Sequence, residues 1–130
     1  MDYADNMCAI VTDHAGDLVR YFVRVDPDTR EQDLLHLRAD LRWTDHRRAE
    51  VDSELLELVA KEAYESKMDA TNVTQIIKVA DTKVLFTGFI EEEVVVAAFD
   101  RGIFGVLSGI VTEFREYMLA NDIEFTELSL

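Results

Sequence analysis

The sequence predicts an α+β fold, a five-stranded antiparallel sheet flanked by helices, with elements in the order α-β-β-α-β-β-β-α. Two observations lead to this class. Runs rich in β-branched and aromatic residues alternate in polarity and are separated by short polar turns, as in antiparallel strands. Other stretches repeat apolar residues every three or four positions, as in helices packed on a sheet. At 130 residues the chain is long enough to form one domain spanning 1–130.

The first half predicts a helix and a hairpin. Asp2 is placed to cap a helix that ends at Gly16, with apolar or inward positions at Tyr3, Met7, Ile10, Val11 and His14. The run "LVRYFVRV" over 18–25 then predicts a strand with four residues on one face, namely Val19, Tyr21, Val23 and Val25. "DPDTREQ" contains the only proline and predicts a turn. "DLLHLRAD" completes the hairpin with Leu35, Leu37 and Ala39 on one face.

The second half predicts a long helix, three short strands and a final helix. Thr44 or Asp45 is placed to cap the main helix over 45–66, whose inner stripe comprises Val51, Leu55, Leu58, Val59 and Glu62. "MDATN" interrupts this helix, and "VTQIIKVA", "KVLFTGFI" and "EVVVAAF" predict the strands. Asp100 is expected to cap a helix over 103–120 with inward residues Ile103, Phe104, Leu107, Ile110, Val111, Phe114 and Met118. Residues 121–130 are compatible with either a sixth strand or a frayed tail.

The strongest global signal is negative charge. The chain carries 27 acidic and 13 basic residues, a net charge of −14. Only four of the basic residues are lysines, and an acidic, lysine-poor surface is suited to a cytoplasm of concentrated KCl. At such salt the Debye length falls to about 3 Å, so repulsion between surface charges has little effect on the fold. We therefore expect a halophilic, cytoplasmic protein.

The sequence shows no membrane-spanning segment, no signal peptide and no possibility of an internal disulfide. No apolar run approaches the roughly 20 residues that span a bilayer, and the N-terminus lacks the basic start and apolar core of a signal peptide. The single cysteine, Cys8, excludes an internal disulfide and lies among apolar residues, as expected of a buried filler. These observations predict a protein that does not associate with membranes.

The most acidic cluster, Glu91-Glu92-Glu93, lies between two predicted strands. A metal or acid–base site needs carboxylates that converge from different elements, whereas three consecutive residues point in different directions. We expect a solvated turn, and the sequence leaves open whether the cluster binds a cation weakly. The three histidines are far apart and show no ligand spacing, so no metal site is predicted.

No enzyme signature is found. There is no G-x-S-x-G motif, no phosphate-binding glycine loop, and no obvious base partner for Cys8. We therefore expect a protein that is not an enzyme and needs no cofactor. Gly105 and Gly109 lie four residues apart in the predicted last helix, where a backbone can approach closely. The approaching backbone would belong either to the chain's own sheet or to a second copy in a dimer.

An arginine-rich region is the remaining candidate site. Residues 18–48 hold seven of the nine arginines. In the predicted hairpin, one face would carry basic side chains that continue toward the main helix; the set comprises Arg20, Arg24, His36, Arg38, Arg42, Trp43, Arg47 and Arg48. Such a face could bind phosphates, with the indole stacking on a base. The alternative is cross-strand pairing with acids such as Asp33 and Asp40, which the net charge favours.

Two resemblances extend this interpretation. The stretch from "CAIVTDHAGDLVRYFVRV" to "LLHLRADL", carried by Gly16, Asp17, Leu18 and Arg20 and by Leu35, Leu37, Arg38, Asp40 and Leu41, resembles small acidic proteins of halophilic archaea. That resemblance implies no activity or ligand. The element order resembles roadblock/LC7 modules, which are small dimers that regulate GTPases or scaffold motors. Those modules have a shorter, glycine-containing first hairpin, where this chain has "DPDTREQ".

Together these patterns lead to two functional hypotheses. The first is a non-enzymatic protein-interaction or regulatory module that forms a homodimer, through helix 45–66 or the glycine pair. The second is an accessory nucleic-acid-binding or transcription-associated protein that uses the arginine face. The second requires Arg20, Arg24 and Arg38 to lie coplanar and unpaired. The first requires an exposed apolar patch.

Overall fold

The computed structural model describes residues 3–55, 61, 65–68, 75–90 and 93–121. Three helices and five strands are described in these ranges, and two short 3-10 segments, Gly16–Leu18 and Arg101–Gly105, flank them. The elements are α1 (Tyr3–Ala15), β1 (Val19–Val25), β2 (Gln32–Leu37), α2 (Asp45–Glu54), β3 (Gln75–Val79), β4 (Lys83–Ile90), β5 (Glu93–Asp100) and α3 (Leu107–Ala120).

The five strands form one antiparallel sheet in the order β2-β1-β5-β4-β3. The predicted fold class and element order are therefore confirmed. The last strand, β5, lies at the centre, between the first hairpin and the second. β2 and β3 form the two edges of the sheet.

Helices cover both faces of the sheet. One core lies beneath α1 and α3 and includes Phe22, Phe86 and Phe114. The other lies beneath α2 and includes Tyr21, Val23 and Val51. β5 contributes alternate residues to both cores and is buried from Val94 to Phe99. Burial on both faces explains why β5 is the most continuously apolar run of the chain.

Two β-bulges change the faces that alternation predicts for the first hairpin. Val19 packs in the α1/α3 core, whereas Tyr21 packs in the α2 core, because the register between β1 and β5 shifts between these residues. A second shift, between β1 and β2, separates Leu35 from Leu37 in the same way. The prediction that each set shares one face is therefore wrong. A bulge adds one residue to one strand, which reverses the side of every residue beyond it.

Local signals correctly locate the first turns. Gly16 has φ +51°, a left-handed conformation that glycine adopts without strain, and α1 ends just before it. Asp2, the predicted cap, lies outside the described residues. In the loop after β1, the Asp26 carboxylate accepts hydrogen bonds from the backbone N–H groups of Asp28 and Thr29. That loop closes through Arg30, which also has positive φ.

The main helix is shorter in the described residues than predicted. Thr44 caps α2 by accepting a hydrogen bond from the Arg47 backbone N–H, as expected. The helix ends at Glu54, and the N–H of Leu55 turns back to the Asp52 carbonyl. Residues 61 and 65–67 are also helical, but the residues that would join them to α2 lie outside the described ranges. Leu58, Val59 and Glu62 of the predicted stripe lie there as well.

The last two connections differ in detail from prediction. Glu93 pairs with Ile90 and begins β5, as the predicted strand "EVVVAAF" has it, so it is not part of the expected turn; Glu91 and Glu92 lie outside the described residues. Residues 101–105 form a 3-10 segment, and α3 begins only at Leu107. The tail from residue 122 also lies outside the described part of the chain.

The predicted inner face of the last helix is partly wrong. Ile110, Phe114 and Met118 are buried, but Phe104 and Val111 are exposed. The 3-10 segment winds more tightly than an α-helix, so a single helical periodicity does not extend across residues 103–111. Asp100 makes no capping hydrogen bond, because its carboxylate binds two arginines instead.

Candidate functional site: the arginine cluster and the exposed edge of the sheet

Arg20 and Arg38 meet at Asp100, the last residue of β5. Arg20 Nε donates to Asp100 Oδ1 at 2.7 Å, and Arg38 Nη1 donates to Asp100 Oδ2 at 2.7 Å. Arg38 also donates to Asp40 at 2.6 Å and to the backbone carbonyl of Asp17 at 2.9 Å. The cluster ties the first hairpin to the central strand.

These ion pairs shift the pKa values of the side chains that form them. The hydrogen bond from Arg20, followed by that from Arg38, holds the pKa of Asp100 below its usual range, although burial opposes the shift. Arg38 likewise lowers the pKa of Asp40, and its hydrogen bonds to Asp40 and Asp100 raise its own pKa. The carboxylates and the guanidinium groups are therefore ionised together at neutral pH.

The remaining members of the predicted arginine face are dispersed. Arg24 binds Asp33, its cross-strand partner, and also lies 3.9 Å from Asp5 of α1. His36 lies on β2 opposite Phe22. The pair with Asp33 is the expected cross-strand neutralisation, whereas Asp40 pairs with Arg38 locally, two residues along the chain. Arg20, Arg24 and Arg38 are not the unpaired set that the nucleic-acid hypothesis requires.

The residues before and within α2 form a separate group. Trp43 packs edge-on against Tyr21, with ring centroids 5.1 Å apart, so its indole is part of the α2 core boundary. Arg47 Nη1 donates to the backbone carbonyl of Arg42 at 2.8 Å. Arg48 is exposed and borders a cavity of about 530 Å³ with Arg30 and Trp43.

The two candidate glycines do not form a strip along one helix. Gly105 ends the 3-10 segment and has open space beside it, while Gly109 lies in α3. A Cβ atom on Gly109 would lie 3.1 Å from His14 Nδ1, so this position is occupied by α1 of the same chain. His14 Nε2 also lies 2.8 Å from a Glu113 carboxylate oxygen. Gly109 thus permits close packing of α1 on α3.

A polar network that the sequence did not indicate fixes α2 to the sheet. Glu54 is only 5% exposed and accepts hydrogen bonds from the hydroxyl of Thr87 at 3.2 Å and from Lys78 Nζ at 3.1 Å. One turn earlier, Glu50 accepts from Lys83 and from the Tyr21 hydroxyl. An exposed helical Glu and a buried one look alike in sequence, because their partners lie on other elements.

Burial and pairing compete at Glu50. Burial is the largest single influence and favours the neutral acid, but the hydrogen bonds from Lys83 and Tyr21 together keep its pKa below the usual value. Burial, together with the hydrogen bond that the Tyr21 hydroxyl donates to Glu50, strongly raises the pKa of Tyr21. Glu50 is therefore a carboxylate that is fully committed to contacts within the fold.

A cavity of about 740 Å³ lies beside the β1–β2 loop. Its polar lining is mostly carboxylate, with Arg24 and Lys61 as the basic groups; the acids are Asp26, Asp28, Glu31, Asp33 and Glu93. No serine, cysteine or histidine is among these lining residues. Within the described residues, no group of three or more His, Cys, Asp or Glu side chains is arranged to hold a metal ion.

Exposed apolar side chains occur at the other edge of the sheet. Ile77 and Val79 on β3 are 40% and 55% exposed. They pair with Phe86 and Val84, which are buried in the α1/α3 core, so their side chains lie on that face beyond the core. Val111 of α3 is also exposed. It lies about 200° around the helix from Gly109, which is on the side of α3 that contacts α1. It therefore faces away from α1.

Comparison with known proteins supports the fold. No protein-family model matches the sequence, and no curated protein does. Among solved structures, the chain is similar to the gliding protein MglB from Thermus thermophilus, with a TM-score of 0.61 and 10% identity over 85% of this chain and 84% of that one. It is also similar to Myxococcus xanthus MglB, with a TM-score of 0.59 and 12% identity over 85% and 89% of the chains.

A third similar structure is a roadblock/LC7 domain from Streptomyces avermitilis, with a TM-score of 0.54 and 18% identity over 92% of this chain and 99% of that one. Identities this low establish a shared architecture and leave function to be argued from surfaces. In the described part of the chain, no helix is both long and apolar enough to cross a membrane. The protein has the roadblock/LC7 fold.

Proposed function

We propose that this chain is a small, non-enzymatic protein-interaction module that functions as a homodimer in a halophilic cytoplasm. The observation that carries the proposal is the open apolar edge formed by β3. Among the residues that the structure describes, β3 pairs only with β4, and its other side has no strand beside exposed Ile77 and Val79. A free edge with apolar side chains favours pairing with another strand.

The usual protection of such an edge is weak here. Natural sheets often place a lysine on an edge strand to prevent pairing. The lysine of β3, Lys78, contacts buried Glu54 beneath α2 and therefore lies on the opposite face of the strand from Ile77 and Val79. Phe104 in the 3-10 segment and Val111 on α3 are further exposed apolar side chains.

The similar solved structures support this assignment. A further similar structure, with a TM-score of 0.58 and 11% identity over 88% of this chain and 82% of that one, is MglB with a tetrameric arrangement, so a protein of this fold assembles with copies of itself. Roadblock/LC7 modules, which the element order resembles, are small dimers that regulate GTPases or scaffold motors. By that analogy the dimer would present a composite surface to a further protein, and the chain itself would supply no catalytic group.

The test is light scattering on a sizing column in concentrated KCl, with absorbance read at 260 and 280 nm. Wild type is expected at the dimer mass with a protein-like absorbance ratio. Val79→Glu is expected to shift the mass to the monomer, because a carboxylate at the contact would be buried without a partner. Leu119→Glu is the matched control, since Leu119 is also exposed but lies at the end of α3.

Other results would change the proposed interface or the proposed function. A monomeric wild type, or a dimer unaffected by Val79→Glu, would refute the β3 contact. Loss of the dimer in Leu119→Glu instead would place the interface at the end of α3. Excess 260 nm absorbance removed by nuclease would favour nucleic-acid binding by the arginine-rich region over the interaction module.

A further inference from the structure

A small polar cavity lies between α2 and the end of the sheet where β1 begins. Its volume is about 250 Å³, and its lining residues are Arg20, Tyr21, His46, Arg47, Glu50, Lys83 and Ala98. Three of the chain's 13 lysines and arginines and one of its three histidines meet here, against one of its 27 acids. The cavity therefore has the opposite charge to the chain as a whole.

The carboxylates near the cavity are already satisfied. Glu50 accepts hydrogen bonds from Lys83 and Tyr21, and Asp100 accepts from Arg20 and Arg38. These pairs do not use every donor of the two cations: in the described residues Lys83 makes one hydrogen bond with three N–H donors, and Arg20 makes two with five. Arg20 uses Nε for Asp100 and Nη2 for the Thr82 carbonyl.

Arg47 supplies charge that the described residues do not neutralise. Its guanidinium makes a hydrogen bond to the neutral backbone carbonyl of Arg42, and no carboxylate among the described residues lies within ion-pair distance of it. Arg47 comes from the first turn of α2, whereas Arg20 and Lys83 come from β1 and β4. Three separate elements thus contribute cationic side chains to the lining of one cavity.

We propose that this cavity binds a phosphoryl-sized oxyanion, either inorganic phosphate or the phosphate end of a small metabolite. A guanidinium fork matches the oxygen spacing of such an anion and binds it through two parallel hydrogen bonds. Pockets for drug-sized ligands are roughly 300–1,000 Å³, so this one is too small for a nucleotide base and sugar. The site is independent of the proposed dimer, whose contact lies at β3.

Equilibrium dialysis against labelled inorganic phosphate tests the site. Ionic strength is kept constant with KCl, so that chloride competes equally in every sample. Wild type is expected to bind phosphate saturably, at one per chain. Arg47→Gln is expected to weaken binding roughly tenfold, and Arg47→Lys to weaken it as well, because an ammonium keeps the charge but lacks the fork. Arg115→Gln, at an exposed position on α3, is the control and should bind like wild type.

Two competitors distinguish the sources of the anion. If sulfate displaces phosphate as well as unlabelled phosphate does, the site recognises a simple oxyanion. If glycerol phosphate displaces it more effectively, the site recognises the phosphate end of a metabolite. The proposal is overturned if wild type shows no saturable binding, or if Arg47→Gln, shown by circular dichroism to be folded, binds phosphate as tightly as wild type.

Discussion

Replacing Glu54 by alanine tests whether α2 is held to the sheet by its buried carboxylate. Glu54 is 5% exposed and Thr87, which donates to it, is 1% exposed. The substitution removes a hydrogen bond to a charged acceptor and leaves a buried hydroxyl without a partner. Leaving a buried polar group unsatisfied costs about 1–3 kcal/mol, and a hydrogen bond to a charged group contributes about 1.5–3 kcal/mol.

These terms overlap, because both describe the same donor and acceptor. The ion pair with Lys78 adds little, since that lysine is 45% exposed and such pairs contribute about 0–1 kcal/mol. We therefore expect the free energy of unfolding to fall by roughly 2–4 kcal/mol. Asp52→Ala on the same helix is the control. Its side chain is 44% exposed and its partner Arg30 lies 3.4 Å away, so a loss below about 1 kcal/mol is expected.

The assay is urea unfolding monitored by circular dichroism in concentrated KCl, with equal m-values required for comparison. The double variant Glu54→Ala/Thr87→Val provides a sharper test. Valine removes the unpaired hydroxyl, so the double variant should be more stable than Glu54→Ala. The reasoning is refuted if Glu54→Ala costs no more than Asp52→Ala, or if Thr87→Val is equally destabilising in both backgrounds.

Three further predictions concern charge and reactivity. The lowered pKa of Asp100 means that its pairs with Arg20 and Arg38 stabilise the fold above the ordinary carboxyl pKa of about 4 and cease to do so as pH falls through the folded value. The stability difference between wild type and Asp100→Asn, followed by urea unfolding, should therefore shrink as the pH falls below the ordinary carboxyl pKa; a constant difference would contradict the pairing. Burial, with a contribution from Asp5, raises the pKa of Cys8 to about 11, so a thiol reagent at pH 8 should label it slowly until urea unfolds the chain. Rapid labelling of the native chain would contradict this burial. Lowering KCl to about 0.1 M should lower the melting temperature, because the Debye length grows to about 10 Å and the net charge of −14 repels itself. An unchanged melting temperature would contradict adaptation to high salt.

Local patterns in the sequence were sufficient for the type and order of the elements in the described residues. Gly16 and the Asp26-Pro27 turn mark chain reversals through conformational preferences that belong to those residues and their neighbours. The apolar run of β5 predicts a buried strand in the same way. The net charge is a property of composition. These signals act over a few residues, so they can be read without knowing the fold.

Only the tertiary structure decides which face of the sheet each side chain occupies and which charged groups pair. A bulge places Val19 and Tyr21 in different cores, and its position depends on how β5 and β1 pair. Asp100 was predicted as a helix cap, yet it binds Arg20 and Arg38, which lie 80 and 62 residues away in the sequence. An aspartate can perform either role. Here it binds the arginines, because the sheet brings a guanidinium nitrogen of each to 2.7 Å from the Asp100 carboxylate oxygens. Electrostatic and packing energies depend on distances in space, and a single sequence specifies those distances only through the complete fold.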